Sequence, residues 1–167
     1  MEKLAQAKLK ELLIYSPENG VFRWRVLLRP GGPKAGDEAG SLTHDGYRRI
    51  KVSGKSYKAS RVAWLYVRGS WPQKDIDHIN GKRDDDRISN LREATDAENQ
   101  QNRKLSVTNT SGYTGVCWYR GNKWRARICH NGESMFLGDF LDKEDARDAY
   151  LEAKVRLHIF QPTPQLA

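Results

Sequence analysis

Hydrophobic positions along the 167-residue chain change period several times, and each change marks an element. Leu4, Leu9, Leu12 and Leu13 recur at near-helical spacing before Ser16-Pro17-Glu18-Asn19-Gly20, a cluster of turn formers that no helix crosses, which predicts a short N-terminal helix. Phe22, Trp24 and Val26 then alternate with Arg23 and Arg25, the period-two pattern of a strand with one buried face. Arg29 to Gly36 is rich in Gly and Pro and reads as a loop. Tyr47 to Val52 and a shorter arm from Tyr57 flank Ser53-Gly54-Lys55, the outline of a hairpin. Ser60 is placed to cap a helix running through Val62, Ala63, Leu65 and Tyr66 to Gly69.

The polar, weakly patterned stretch 105–112 reads as a linker between residues 1–104 and a second domain at 113–160, with 161–167 as a tail. Beyond the linker, Gly115-Val116 leads a Trp/Tyr/Arg strand, Trp124 to Ile128 forms another, and the turn Asn131-Gly132 precedes a third at Met135 to Leu137. Asp142 is a plausible N-cap for a helix whose stripe is Ala146, Ala149, Tyr150, Ala153 and Leu157. Three short strands backed by one helix is the expected outcome.

Charge sharpens this picture. Lys and Arg number 29 against 21 Asp and Glu, for a formal +8. The excess is local: Arg48, Arg49, Lys51, Lys55, Lys58, Arg61, Arg68 and Lys74 occupy residues 46–74 with no acid among them. Arg120, Lys123, Arg125 and Arg127, interleaved with Trp118, Tyr119 and Trp124, occupy a second acid-free stretch, 105–131. Such faces suit a polyphosphate partner, because each neutralised phosphate releases condensed counterions; a solvated basic surface is the bland alternative. No apolar run approaches the roughly 18 to 20 residues of a membrane-spanning helix. The first twenty residues mix Lys3, Lys8 and Lys10 with Glu2 and Glu11 and lack a secretory signal, so a cytoplasmic protein is expected. Cys117 and Cys129 are too few for a disulfide framework and lack zinc-site spacing; they are expected to be reduced, buried and inert. Five Trp, seven Tyr and four Phe supply the bulk for an ordered core.

Candidate chemistry concentrates in Asp75-Ile76-Asp77-His78-Ile79-Asn80-Gly81, Arg87-Ile88-Ser89-Asn90-Leu91-Arg92 and Thr95 to Asn102. Asn80-Gly81 signals a tight turn, which puts His78 at a strand end. Thr95 with Glu98 forms a capping box that starts a helix near Asp96 and puts Asn99 and Asn102 on one face. A strand, a loop holding Asn90 and a helix presenting Asn99 are able to bring Asp77, His78 and Asn99 together.

This run resembles the HNH endonuclease family in its phage and group I intron branch, as an H-N-N variant carried by His78, Asn90 and Asn99. The likeness extends upstream through Ala39-Gly40-Ser41-Leu42, Gly46-Tyr47 and Arg61-Val62-Ala63-Trp64, over about residues 10 to 104. It implies an α+β protein with a ββα-metal nuclease core at about 58–104 behind a β-rich N-terminal extension. It also implies a catalytic set of His78 as general base, Asp77 and Asn99 as ligands of one Mg²⁺ (or Mn²⁺), and Asn90 as the brace that orients His78. Two positions depart from the family pattern: Ser60 stands where many relatives have His, and Asp86 where many have Asn.

Residues 111–116, Lys123-Trp124, Leu137-Gly138-Asp139-Phe140 and the Ala146 to Tyr150 helix resemble the DNA-binding domain of plant ethylene-response factors, which implies a three-stranded antiparallel sheet packed on one helix. Cys117 stands where those domains have Arg. Alternation puts Trp124, Ala126 and Ile128 on one face and Arg125 and Arg127 on the other, leaving Trp124 open as core or contact. The expected DNA contacts are Arg48, Arg49, Lys51, Lys58, Arg61, Arg87, Arg92, Asn102 and Arg103 in the first part, and Trp118, Arg120, Lys123, Arg125 and Arg127 in the second. The expected activity is metal-dependent hydrolysis of double-stranded DNA, phage-encoded or homing-type, and the expected partner is that duplex, with a second copy of the chain or a phage or host protein as further candidates. The rivals are a DNA-binding regulator that keeps the HNH fold without activity, and an RNA-binding protein.

Overall fold

In the computed structural model, which describes residues 4–27, 29–101, 105 and 108–158, the chain is a mixed α+β protein of small antiparallel sheets. It divides into two units, Met1–Ala94 and Thr95–Ala167.

In the first unit, α1 (Gln6–Leu12) runs directly into β1 (Leu13–Ser16), which pairs antiparallel with β2 (Val21–Trp24) so that Tyr15 faces Phe22. The strand predicted from Phe22, Trp24 and Val26 stops earlier: Phe22 and Trp24 are buried, whereas Val26 lies past the strand end and is exposed. A three-stranded sheet follows, in the order β3 (Ser41–Leu42), β4 (Arg48–Val52), β5 (Lys55–Lys58). Ser53 and Gly54 both take positive φ, the geometry whose twist matches a two-residue hairpin. Helix α2 (Ala59–Arg68) ends at Gly69, whose φ of 84° closes it in the left-handed conformation.

The expected cap at Ser60 is not observed. Lys58 occupies the N-cap without a side-chain bond, and Ser60 sits buried inside the first turn, since the helix starts two residues earlier than a Ser60 cap requires. Leu9, Leu13, Phe22, Ile50, Val52, Val62 and Leu65 form the core, each contributing about 1.5–3 kcal/mol through burial. The last pair of strands, β6 (Asp75–His78) and β7 (Leu91–Ala94), is antiparallel, with Asp77 opposite Arg92 and His78 opposite Leu91.

In the second unit, α3 (Asp96–Gln101) is followed by an antiparallel sheet in the order β10 (Glu133–Phe140), β9 (Lys123–His130), β8 (Val116–Tyr119), with α4 (Lys143–Leu157) packed on it. Ala126 and Ile128 face α4, where Ala146, Tyr150 and Ala153 complete the core. Trp124 packs against the same cluster, which resolves the alternation in favour of a core role. Gly115 is required there, because a Cβ would sit 2.3 Å from the Tyr150 ring. Asp142 stands at the N-cap of α4 but makes no side-chain cap bond. Both cysteines are free, as expected, but exposed rather than buried. Each follows an inward residue on its strand, Val116 and Ile128, so the pleat turns it outward.

Candidate active site

The β6 strand delivers Asp77 and His78 to the start of a reversal in which the Gly81 amide donates to the His78 carbonyl at 2.8 Å, with Gly81 at positive φ. The loop that follows is built on Asn90, in the single 3-10 turn Ile88–Asn90. Its carboxamide nitrogen donates to the Asn80 Oδ1 at 3.0 Å and to the Asp85 carbonyl at 2.9 Å, while its Oδ1 accepts from the Asn80 amide at 3.0 Å. A buried Asn with its donors and acceptor engaged fixes a loop far better than side-chain packing alone. Asp85 is clamped beside it by Nε and Nη2 of Arg87, at 2.7 and 2.6 Å. These bonds hold the Asp85 carboxyl down at about 2.

Within this frame the His78 ring is 4% exposed and its Nε2 lies 3.1 Å from Oδ1 of Asp86, itself 2% exposed. The second carboxylate oxygen, Oδ2, is buried with no hydrogen-bond partner among the described residues. Burial pushes the Asp86 carboxyl above the usual carboxylate range, and the His78 bond opposes that shift. With Asp86 ionised, Nε2 is the donor and the lone pair of a neutral imidazole resides on Nδ1. The N-terminal hairpin supports this pair from outside. Tyr15 donates its hydroxyl to the Asp86 carbonyl at 2.8 Å, and Gly20 lies so close that a Cβ would sit 2.5 Å from the Arg87 nitrogen and 2.6 Å from the Asp86 carbonyl carbon.

Asp77, also buried, accepts from Arg92 across the strand pair, both guanidinium bonds (2.9 and 2.7 Å) falling on Oδ2. Asn99 lies in the second unit, on α3. There the capping box forms as the spacing predicts: the Thr95 amide donates to Glu98 Oε2 at 2.7 Å and the Glu98 amide to Thr95 Oγ1 at 3.3 Å.

Several of the basic residues expected at a nucleic acid are engaged within the protein. Arg92 holds Asp77, Arg87 holds Asp85, and Arg48 pairs with Glu38 at 2.5 Å. Arg61 donates to the carbonyls of Lys74 and Pro72 and lies 3.6 Å from Asp75. Arg125 forks onto Asp139, both bonds at 2.7 Å, and stacks on Tyr119 with its guanidinium carbon 3.3 Å from the ring centre. Arg49 and Lys51 lie on β4, and Lys123 and Arg127 on β9, the last two exposed. The Arg120 guanidinium carbon lies over the Tyr119 ring, 5.4 Å from its centre. Trp118 is 53% exposed and meets Trp124 edge-on. Asn102 and Arg103 lie outside the described residues, as do the tail 161–167 and residues 106 and 107 of the expected linker.

The family model described as HNH endonuclease matches residues 57–101, a span that runs from β5 through α3 and contains every residue of the His78 loop. A curated relative, Protein 3.8 of Escherichia phage T7, is 37% identical over 82 residues, which make up 46% of this chain and 68% of that protein. The chain belongs to the HNH endonuclease family. Its fold is also similar to that in a solved structure described as DNA binding and cleavage by the HNH homing endonuclease I-HmuI, at 22% identity and a TM-score of 0.45, with 65% of this chain and 63% of that one covered. The chain thus spans under two thirds of that homing enzyme. In this HNH protein the residue that sequence reasoning treated as a departure, Asp86, is the direct partner of the His at the family's first signature position. Its eight-residue separation from His78 gave no such signal, because a loop rather than a helix or strand closes the gap. Tyr47, whose ring centre lies 5.9 Å from that of His78, carried only the Gly46-Tyr47 likeness and no expected site role, and Arg83 carried none.

Proposed function

We propose that the chain is a metal-dependent endonuclease that hydrolyses phosphodiester bonds of double-stranded DNA. The observation that carries this is the buried His78–Asp86 pair at the end of β6, next to Asp77, within the stretch matched by the HNH endonuclease family. His78 is the general base: Nδ1 takes a proton from the attacking water while Nε2–H stays on Asp86, and such a positioned base contributes about 10² to 10⁴ in rate. Asp86 fixes the tautomer and ring orientation, and Asn90 fixes the loop that holds both.

The donor chemistry fits a hard divalent cation. A carboxylate from Asp77 and a carboxamide oxygen from Asn99 are the ligand types Mg²⁺ and Mn²⁺ prefer. Two protein ligands would leave the remaining positions of the ion to phosphate oxygens and water. When bound, the ion supplies charge stabilisation at the phosphate and leaving oxygens. Arg92 orients the Asp77 carboxylate through its two hydrogen bonds to Oδ2.

In the second unit, Arg127, Lys123 and Arg120, with Trp118, hold the duplex; the sheet-and-helix architecture and the exposed cations support that role, in the manner of β-sheet readers. The likeness to a phage protein supports a phage-encoded enzyme acting in a bacterial cytoplasm. The near-complete enclosure of His78 favours one rival, a DNA-binding protein that keeps the HNH fold without cutting. Supercoiled plasmid incubated with the full chain and Mg²⁺ or Mn²⁺ separates the two: nicked or linear product supports the enzyme, and supercoiled DNA persisting with every divalent ion supports the binder.

A further inference from the structure

We propose that Tyr47, Lys58 and Arg83 form a clamp for a backbone phosphate of the strand presented to His78. The three residues come from different elements of the first unit. Tyr47 leads into β4, where its carbonyl accepts from both the amide and the hydroxyl of Thr43, at 2.9 and 2.7 Å. Lys58 ends β5 and Arg83 follows the turn at Gly81. The Lys58 ammonium nitrogen lies 4.1 Å from the centre of the Tyr47 ring and the Arg83 guanidinium carbon 5.2 Å from the same centre.

Two cations gathered on one aromatic ring repel each other, and the ring itself returns only about 0.5–1 kcal/mol per contact at a surface. A carboxylate normally resolves such a cluster. Among the described residues neither Lys58 nor Arg83 has one within ion-pair distance. Asp45 gives Arg83 its backbone carbonyl, at 2.8 Å, while its own carboxylate is taken by the Thr43 hydroxyl; of the three acids that follow Arg83 in the chain, Asp85 is held by Arg87 and Asp86 by His78, and Asp84 forms no ion pair with Arg83 or Lys58. The unfilled role is that of an anion, and its chemistry is set by the donors. A guanidinium offers a planar fork suited to phosphate oxygens, and an ammonium adds a compact point charge beside it. The third neighbour of the ring sets the location: the Tyr47 ring lies 5.9 Å from the His78 ring, at an interplanar angle of 48°. A phosphate gripped by Lys58 and Arg83 therefore lies next to the imidazole.

The identity of the strand as a nuclease substrate rests on the function proposed above, whereas the phosphate clamp itself is read from binding. The test uses the full chain, a DNA duplex titrated across a salt series, and plasmid cleavage in parallel, with thermal melting of each variant as the fold control. Lys58→Met and Arg83→Met are each expected to flatten the slope of log affinity against log salt by about 0.9, which at about 0.1 M salt amounts to a roughly eightfold loss. Lys58→Arg keeps the slope. Tyr47→Phe, which keeps the ring, retains cleavage, while Tyr47→Leu, which removes it, loses cleavage at least tenfold without a matching loss of melting temperature. Unchanged slopes in both Met variants, or equal cleavage by the Phe and Leu variants, overturn the clamp. A wild type that binds with the expected slope and loses it in the Met variants, yet cuts nothing, sinks the nuclease reading and leaves the clamp standing. A wild type without duplex affinity at any salt sinks both.

Discussion

Asp86 reaches His78 across a loop and meets it at 3.1 Å, Oδ1 to Nε2, with both residues almost fully buried and the other Asp86 oxygen without a hydrogen-bond partner among the described residues. A carboxylate in such surroundings is costly to keep charged unless it holds a donor, so the pair is bound together by mutual need: the imidazole gives Asp86 its one side-chain hydrogen bond, and Asp86 decides which ring nitrogen carries the proton.

The Asp86→Asn variant keeps an acceptor for Nε2 and removes the buried charge. It is expected to melt at or above the wild-type temperature and to retain cleavage within about tenfold. Asp86→Ala strands Nε2, and an orphaned buried donor costs about 1–3 kcal/mol. Thermal melts and plasmid cleavage of the two variants check this; an Asn variant as damaged as the Ala variant would show that the negative charge itself is required.

Gly20 places the β1–β2 hairpin against the Asp86 backbone. It has φ of 75°, and its missing Cβ would clash with the Arg87 nitrogen at 2.5 Å. Gly20→Ala is therefore expected to lose stability on the order of 1–3 kcal/mol and to lower cleavage through displacement of Asp86. An unchanged melting temperature would show that the hairpin yields without disturbing the loop.

Tyr15 links the same hairpin to the Asp86 carbonyl, and burial, the largest cause, pushes its hydroxyl up from 10.0 to about 12. The folded state thus binds the phenolic proton more tightly than the unfolded chain does. Its contribution is complete below pH 10 and is lost as pH rises from 10 towards 12. Urea midpoints should fall across that window in the wild type and fall less in Tyr15→Phe, which itself loses about 0.5–1.5 kcal/mol at neutral pH. Parallel curves for the two proteins would contradict this.

Arg125 and Arg127 share an outward face of β9 but differ in engagement. Asp139 holds Arg125 charged and in place, its hydrogen bond being the main cause, whereas Arg127 is exposed. Arg127→Ala is expected to flatten the salt dependence of DNA binding by about one phosphate contact, and Arg125→Ala chiefly to lower the melting temperature of the second unit. A larger slope change from Arg125 than from Arg127 would reverse their roles.

Local rules made much of this legible. Ser53-Gly54 and Asn131-Gly132 take positive φ as hairpin turns require, Thr95 and Glu98 close their box, and alternation along β9 separates Ala126 and Ile128 from Arg125 and Arg127. The same alternation, applied to Cys117 and Cys129, would have placed both outside. What the sequence could not disclose were pairings fixed by register and loop closure. Asp77 meets Arg92 because those residues stand opposite in β6 and β7, which consumes an arginine that composition alone offers to DNA. Tyr15 meets the Asp86 backbone across 71 positions, a separation at which no local pattern operates. Ser60 shows the opposite failure, a good cap residue overridden because the helix begins earlier and the core needs a small buried group there.

The most direct test of His78 as the base compares wild type with His78→Ala on supercoiled plasmid in Mg²⁺, with duplex affinity measured on the same preparations. Nicking or linearisation by the wild type, at least about 10²-fold slower in the variant while affinity changes less than about threefold, is the expected result. Equal cleavage by both proteins, or loss of binding in step with loss of cleavage, would contradict it.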